Sequence, residues 1–124
     1  SIVMETTERR SARPSDEYYY AALQYIQSRF SDSELTVQEV AEHLGLNRSY
    51  LYRIFEQKAN ISLRDYIARL RLEKANLLLA HSTQSVCEIA QSCGFANCSY
   101  FSTAYKRSFG KSPLKDRMKT PESD

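Results

Sequence analysis

Ser49, Tyr52, Arg53 and Glu56 fall on one face at helical spacing, and fifty residues later Ser99, Ser102, Thr103 and Lys106 do the same. Such a mixture of hydroxyls, an aromatic ring and bases fits the major groove of DNA. There an arginine can pair with guanine, and hydroxyls can donate or accept. Other chemistry is poorly provided for. His43 and His81 stand alone, no nucleophile–base pair is close in sequence, and no glycine-rich phosphate loop occurs. The sequence therefore predicts neither an enzyme nor a cofactor. Cys87, Cys93 and Cys98 lie within twelve residues, without CxxC spacing or a nearby histidine, so no metal site is expected. Their odd number argues against a disulfide framework and for a reducing compartment. Small buried hydrophobes, or a surface thiol at Cys98, are the expected roles.

The two polar faces belong to a repeat that must position them. "VQEVAEHLGLNRSYLYRIF", Val37–Phe55, is echoed by "VCEIAQSCGFANCSYFSTAY", Val86–Tyr105. Val37, Val40, Ala41, Leu44 and Gly45 correspond to Val86, Ile89, Ala90, Cys93 and Gly94 at an offset of 49. Beyond the glycine the offset becomes 50, so the second turn is one residue longer. Thr36 with Glu39, and Ser85 with Glu88, read as capping boxes that open a short helix. Each helix stops at a glycine, and Asn47 or Asn97 caps the next one. Ala41 and Ala90 are small where two helices cross, and Leu46 and Phe95 plug the angle between them. Leu51, Ile54 and Phe55 form an inward stripe, as do Phe101, Ala104 and Tyr105. Two short helices joined by a tight turn, twice over, is the helix-turn-helix layout.

The remaining segments frame this pair. Residues 1–14 show no apolar periodicity and read as a linker or expression remnant. Because the chain starts at Ser1, it is expected to be part of something longer, with a further domain upstream. Ser15 is expected to cap a first helix with apolar residues Tyr19, Leu23, Ile26 and Phe30. The run Tyr18–Tyr20 suits a core face with flanking amphipathic tyrosines better than a recognition surface. Ser62–His81 contains no Gly or Pro and sets Leu63, Tyr66, Ile67, Leu70, Leu77 and Leu78 at helical spacing. Ser112 and Pro113 begin a short basic helix. The expected fold is all-α, with two helix-turn-helix subdomains joined by a long linker helix, about seven helices in all. The expected boundaries are 15–60 for the first subdomain, 61–82 for the linker helix, 83–118 for the second subdomain and 119–124 for a tail.

Net charge is only +2, but residues 16–47 carry six acids against Arg29, and residues 48–119 carry thirteen Lys and Arg against five acids. That asymmetry points to a polyanion on one side of the protein. Apolar content of 42% suits a folded chain, and no apolar run approaches the roughly 18 residues a membrane span requires. No secretory signal is visible, so a cytoplasmic location is expected.

With these residues in view, the chain resembles the DNA-binding region of AraC/XylS-family transcription regulators. "LYRIF" and "CGFANCSYFSTAYKRSFGKSP" carry the resemblance, which covers residues 16–118. It implies binding to double-stranded promoter DNA, activation of transcription, contact with RNA polymerase, and a separate N-terminal effector or dimerisation domain. It also places Ser49, Tyr52 and Arg53 at base edges with Arg48 nearby, and puts Cys98, Ser99, Ser102 and Thr103 at the reading positions of the second unit. The family commonly has Arg at the position of Thr103 and an aromatic at that of Asp116. Without that Arg the second unit is expected to read bases weakly and to serve mostly as a phosphate anchor.

Phosphate contacts are expected from backbone amides at the capped starts near Thr36 and Ser85, and from Lys106, Arg107, Lys111 and Lys115. Both recognition helices are expected in successive major grooves. A linker of roughly 30 Å against a duplex turn of about 34 Å calls for a modest bend in the DNA or a shallow second helix. The rival expectation is a helical protein-interaction module that has lost DNA binding.

Overall fold

Thr36, Asn47, Ser85, Asn97 and Ser112 each hold extended backbone and accept a hydrogen bond from the amide three residues on. Each thereby satisfies one donor that a helix start leaves bare. The helices that follow are the ones the caps dictate. The computed structural model describes residues 14–118. Among these it contains seven helices and no strand: α1 (Pro14–Arg29), α2 (Val37–Leu44), α3 (Arg48–Ala59), α4 (Leu63–His81), α5 (Val86–Ser92), α6 (Cys98–Phe109) and α7 (Pro113–Arg117). Of the expected linker at 1–14, Pro14 instead opens α1, while residues 1–13 and the tail at 119–124 lie outside the described residues. Pro14 and Ser15 are both helical, so Ser15 is not the cap of α1.

The chain divides into two compact units. Of the described residues, the first unit takes those up to Ser28 together with Thr36–Arg64. Its buried side chains include Ala22 and Ile26 of α1, Val37, Val40 and Ala41 of α2, and Leu51, Ile54 and Phe55 of α3. The Tyr19 ring meets Phe55 edge-on at 5.3 Å. In the cap of α2, Thr36 Oγ accepts from the Glu39 amide at 3.0 Å, while the Glu39 carboxylate accepts from the Tyr25 phenol at 2.5 Å. In α1, Tyr19 and Leu23 are half-buried rather than buried, and Phe30 lies just past the helix end.

The second unit takes Arg29–Leu35 and the described residues from Asp65 onward. Its core joins Leu72, Ala75 and Leu79 of α4 to Ile89, Ala90 and Cys93, to Phe95, and to Phe101 and Tyr105 of α6. The segment set apart in sequence as a linker is thus part of a core from Asp65 on. Its working stripe is Leu72, Ala75 and Leu79, while Leu77 is 60% exposed, contrary to expectation. The helical period explains the difference, because position 77 lies nearly opposite 75 and 79.

The two turns repeat one another, since Leu46 and Phe95 each donate a backbone bond of 2.9 Å to the carbonyl of Ala41 or Ala90. Gly45 and Gly94 both hold left-handed backbone, with φ of 72° and 100°. They differ in what surrounds them. A Cβ on Gly45 meets nothing within 4 Å, whereas one on Gly94 would sit 2.5 Å from the Phe30 carbonyl oxygen and 2.8 Å from Arg71 Nε. Arg71 Nε itself donates to that carbonyl at 2.7 Å, and Lys74 bridges Ser31 Oγ at 2.9 Å and the Ser92 carbonyl at 3.1 Å. Gly94 therefore admits the 29–35 segment as well as making a turn. Gly94→Ala is expected to cost about 3 kcal/mol or more, against roughly 1 kcal/mol for Gly45→Ala. Urea unfolding of the two variants side by side measures the difference.

Candidate nucleic-acid interface

Burial of Leu51, Ile54 and Phe55 fixes which way α3 faces. Arg48, Ser49 and Arg53 are then exposed and Tyr52 is half-buried, so the four residues expected at base edges share one accessible side. Glu56 is exposed beside them. The Arg53 guanidinium lies over the Tyr50 ring, 5.5 Å from its centre, and Tyr50 meets Tyr18 edge-on at 6.1 Å. An aromatic shelf of this kind narrows the directions a guanidinium samples. From sequence Tyr50 has no assigned role, and Tyr18 belongs only to the Tyr18–Tyr20 run beside a core face. The spacing of three between Tyr50 and Arg53 on one helix is the signal that points to this pair.

The face of α6 is built differently. Phe101 and Tyr105 are buried, Ser99 and Thr103 are exposed, and Ser102 is half-buried. The Thr103 hydroxyl donates to the Ser99 carbonyl at 3.2 Å, which engages its one proton within the helix and leaves it an acceptor toward a ligand. Cys98 is corrected outright: it is not a free surface thiol but is disulfide-bonded to Cys87. Sequence spacing hid this, because the two cysteines stand 11 positions apart and only the fold sets the first turn of α5 beside the first residue of α6, with Cα atoms 5.3 Å apart. Cys93 alone is a free, buried thiol, as expected for a small hydrophobe.

The residues expected at phosphates also separate. Thr36 and Ser85 spend their hydroxyls on their own caps, and the Ser85 amide donates to the Glu88 carboxylate at 2.8 Å. These two helix starts therefore carry carboxylates of their own. Lys106, Arg107, Lys111 and Lys115 are all exposed. Three of them, Lys106, Lys111 and Lys115, line one surface hollow of about 750 Å³ with Leu114 and Met118.

Residues 40–119 match the family described as a helix-turn-helix domain, of the AraC/XylS type. The Msm operon regulatory protein of Streptococcus mutans is 44% identical over 85 residues, covering 68% of this chain and 31% of its own length. The transcriptional activator RhaS of Escherichia coli O1:K1 is 40% identical over 96 residues, covering 77% of this chain and 34% of its own. The C-terminal domain of AraT, a response regulator from Geobacillus stearothermophilus, superposes with a TM-score of 0.78 at 37% identity, covering 92% of this chain and 94% of that one. The chain belongs to the AraC/XylS family. As a member, it is a DNA-binding domain of the kind found in transcription regulators. It spans about a third of the length of the two regulators. The DNA-binding domain of AdpA, solved with a target DNA, shares the fold, with a TM-score of 0.75 at 23% identity over 86% of this chain and 91% of that one.

Its departures from the AraC/XylS pattern are now physical. Where the first copy buries Phe55, the second buries Tyr105, and a phenol inside a core needs partners. Asn76 donates to the Tyr105 hydroxyl at 2.9 Å, and that hydroxyl donates to Asp116 at 2.5 Å. Asp116 is thus the acceptor that Tyr105 requires, and together they tie α7 to the inner side of α6. Burial first, and the hydrogen bond to Asp116 second, push the Tyr105 phenol up to about 12. The folded state therefore holds this proton longer than the unfolded chain does, whose phenols titrate near 10. The resulting stabilisation is complete below about pH 10 and is lost as pH rises toward about 12. Phenolate absorbance should show one late-ionising tyrosine that disappears in Tyr105→Phe. Asp116→Ala should lower that phenol's pKa and destabilise by about 1–3 kcal/mol in thermal unfolding.

Proposed function

We propose that the chain reads promoter DNA chiefly through Arg48, Ser49, Tyr52 and Arg53 of α3, and that the second unit contributes more anchoring than reading. The observation that carries this is Arg53, an exposed guanidinium backed by the Tyr50 ring on a helix whose opposite side is buried. A guanidinium so presented suits the paired acceptors of guanine. On α6, the accessible polar groups at Ser99, Ser102 and Thr103 are hydroxyls, and Cys98 is engaged in its bridge. Lys106, Arg107, Lys111 and Lys115 supply charge for the phosphate backbone. In this reading both helices enter major grooves of one duplex, the deeper base contacts coming from α3. In the same reading Thr36 and Ser85 contribute through the backbone amides of the first turns that they open.

RhaS is named a transcriptional activator and the Msm protein an operon regulator, which supports regulation of transcription by a longer protein in the cytoplasm. Such a protein would carry a sensing or dimerisation domain upstream and would touch RNA polymerase. The AdpA domain, held on DNA in its own structure, supports the use of this fold as a duplex-binding one. No described helix is long and apolar enough to cross a membrane.

Selecting bound sequences from random DNA supplies an operator for the test. Arg53→Ala is expected to cost on the order of 1–3 kcal/mol on that operator and to relax the choice of base at one position. Lys111→Ala should weaken every sequence alike and make the salt dependence of binding shallower by about one unit of slope. Equal losses on operator and random DNA for Arg53→Ala would remove the base-reading assignment.

A further inference from the structure

Two sulfurs meet at the start of α6. Cys98, the first residue of that helix, is bonded to Cys87 in the first turn of α5. Cys87 is exposed and Cys98 half-buried, so small molecules can reach the pair. Cys93 is different. It is buried, and burial pushes its thiol up to about 11, which keeps it out of thiolate chemistry at neutral pH.

The bridge lies on the reading face itself. Asn97, immediately before it, caps α6 by accepting from the Tyr100 amide at 2.9 Å, and Ser99 follows it. On the other side, Cys87 sits inside a complete capping box, with Ser85 and Glu88 bonded in both directions at 2.8 and 3.1 Å. The disulfide therefore joins two helix starts, one firmly closed by two bonds and one held by a single side-chain cap. Opening it leaves the first turn of α6 with the Asn97 cap alone. In the reducing compartment proposed above, a bridge that solvent can reach is opened and closed by exchange rather than kept permanently.

We propose that Cys87 and Cys98 are a reversible thiol-modification site for small disulfides of the glutathione class, and that its state sets how firmly α6 is presented to DNA. The proposal rests on α6 facing DNA. The exposed Cys87 loses its proton and attacks one sulfur of the small disulfide, forming a mixed disulfide and releasing one small thiolate. The Cys98 thiolate then attacks the Cys87 sulfur, which forms the Cys87–Cys98 bond and releases the second small thiolate. Two electrons pass from the protein thiols to the small disulfide, and the two protons lost from the protein end on the two released thiols. The reverse sequence, driven by excess small thiol, opens the bridge. The closed form has the ordering of the α6 start already in place, so it binds duplex more tightly than the open form.

The whole chain equilibrated across ratios of reduced to oxidised glutathione tests this, with thiols alkylated after acid quenching and unfolding in denaturant and counted by mass spectrometry, and with titration against the selected operator. Closure is expected to remove two of three alkylatable thiols, tighten operator binding about three- to tenfold, and raise Tm by roughly 5 °C or more. Cys87→Ser and Cys98→Ser should abolish all three changes, and Cys93→Ala should keep them. Three alkylatable thiols persisting in oxidised glutathione would overturn the site. Closure without any change in operator affinity would overturn its link to DNA while leaving base reading by α3 intact. Absence of operator preference in both states would instead bring down the DNA-reading assignment, and this proposal with it.

Discussion

How far a helix is free to rotate about its own axis decides whether its outer side chains can select anything. A turn of about 100° separates neighbouring positions, so a modest rotation would exchange Arg53 for Glu56 or for a buried neighbour. Burial of Leu51, Ile54 and Phe55 removes that freedom in α3, and burial of Phe101 and Tyr105 removes it in α6. The asparagine caps then fix where each helix begins. Everything that the outward faces offer follows from these inward ones. Core packing and recognition are in this sense one constraint, applied to opposite sides of the same cylinder.

The two copies meet this constraint with different means. In the first, an aromatic pair under an arginine supplies both rigidity and a planar set of donors. In the second, the outward side carries hydroxyls, and the stabilising chemistry has moved inward and to the helix start. There the Tyr105 phenol is satisfied by Asn76 and Asp116, Arg117 donates to the carbonyls of Leu79, Ser82 and Gln84, and a disulfide closes the entrance. The second copy is thus the more braced of the two.

The helices, the caps at Thr36, Asn47, Ser85, Asn97 and Ser112 and both inward stripes were legible because they depend on residues close in sequence, whereas the cap expected at Ser15 was not found. Asn47 and Asn97 act on an amide three positions away, and stripes such as Leu51, Ile54 and Phe55 repeat at the helical period. What escaped reading depends on pairs that only the fold brings together. The disulfide spans a turn whose extra residue was visible but whose path was not. Leu77 obeyed the spacing and still faces solvent, because several stripes fit one long helix and only its neighbours choose among them. Asp116 looked like a departure from a pattern, and it became intelligible once Tyr105 was seen to point at it. Within the interface, the exposed positions of α3 and α6 could be read by subtracting the core, whereas the shelf beneath Arg53 needed Tyr18 from another helix.

The cradle at Gly94 bears on how this protein can be divided. Residues 29–35, although they precede the whole first repeat, belong with the second unit, clasped by Arg71 and Lys74. The second unit is therefore discontinuous, and the residues of α2 and α3 are an insertion within it. A single cut between the repeats yields no intact half, because the later fragment would leave behind the strap on which its own turn glycine closes.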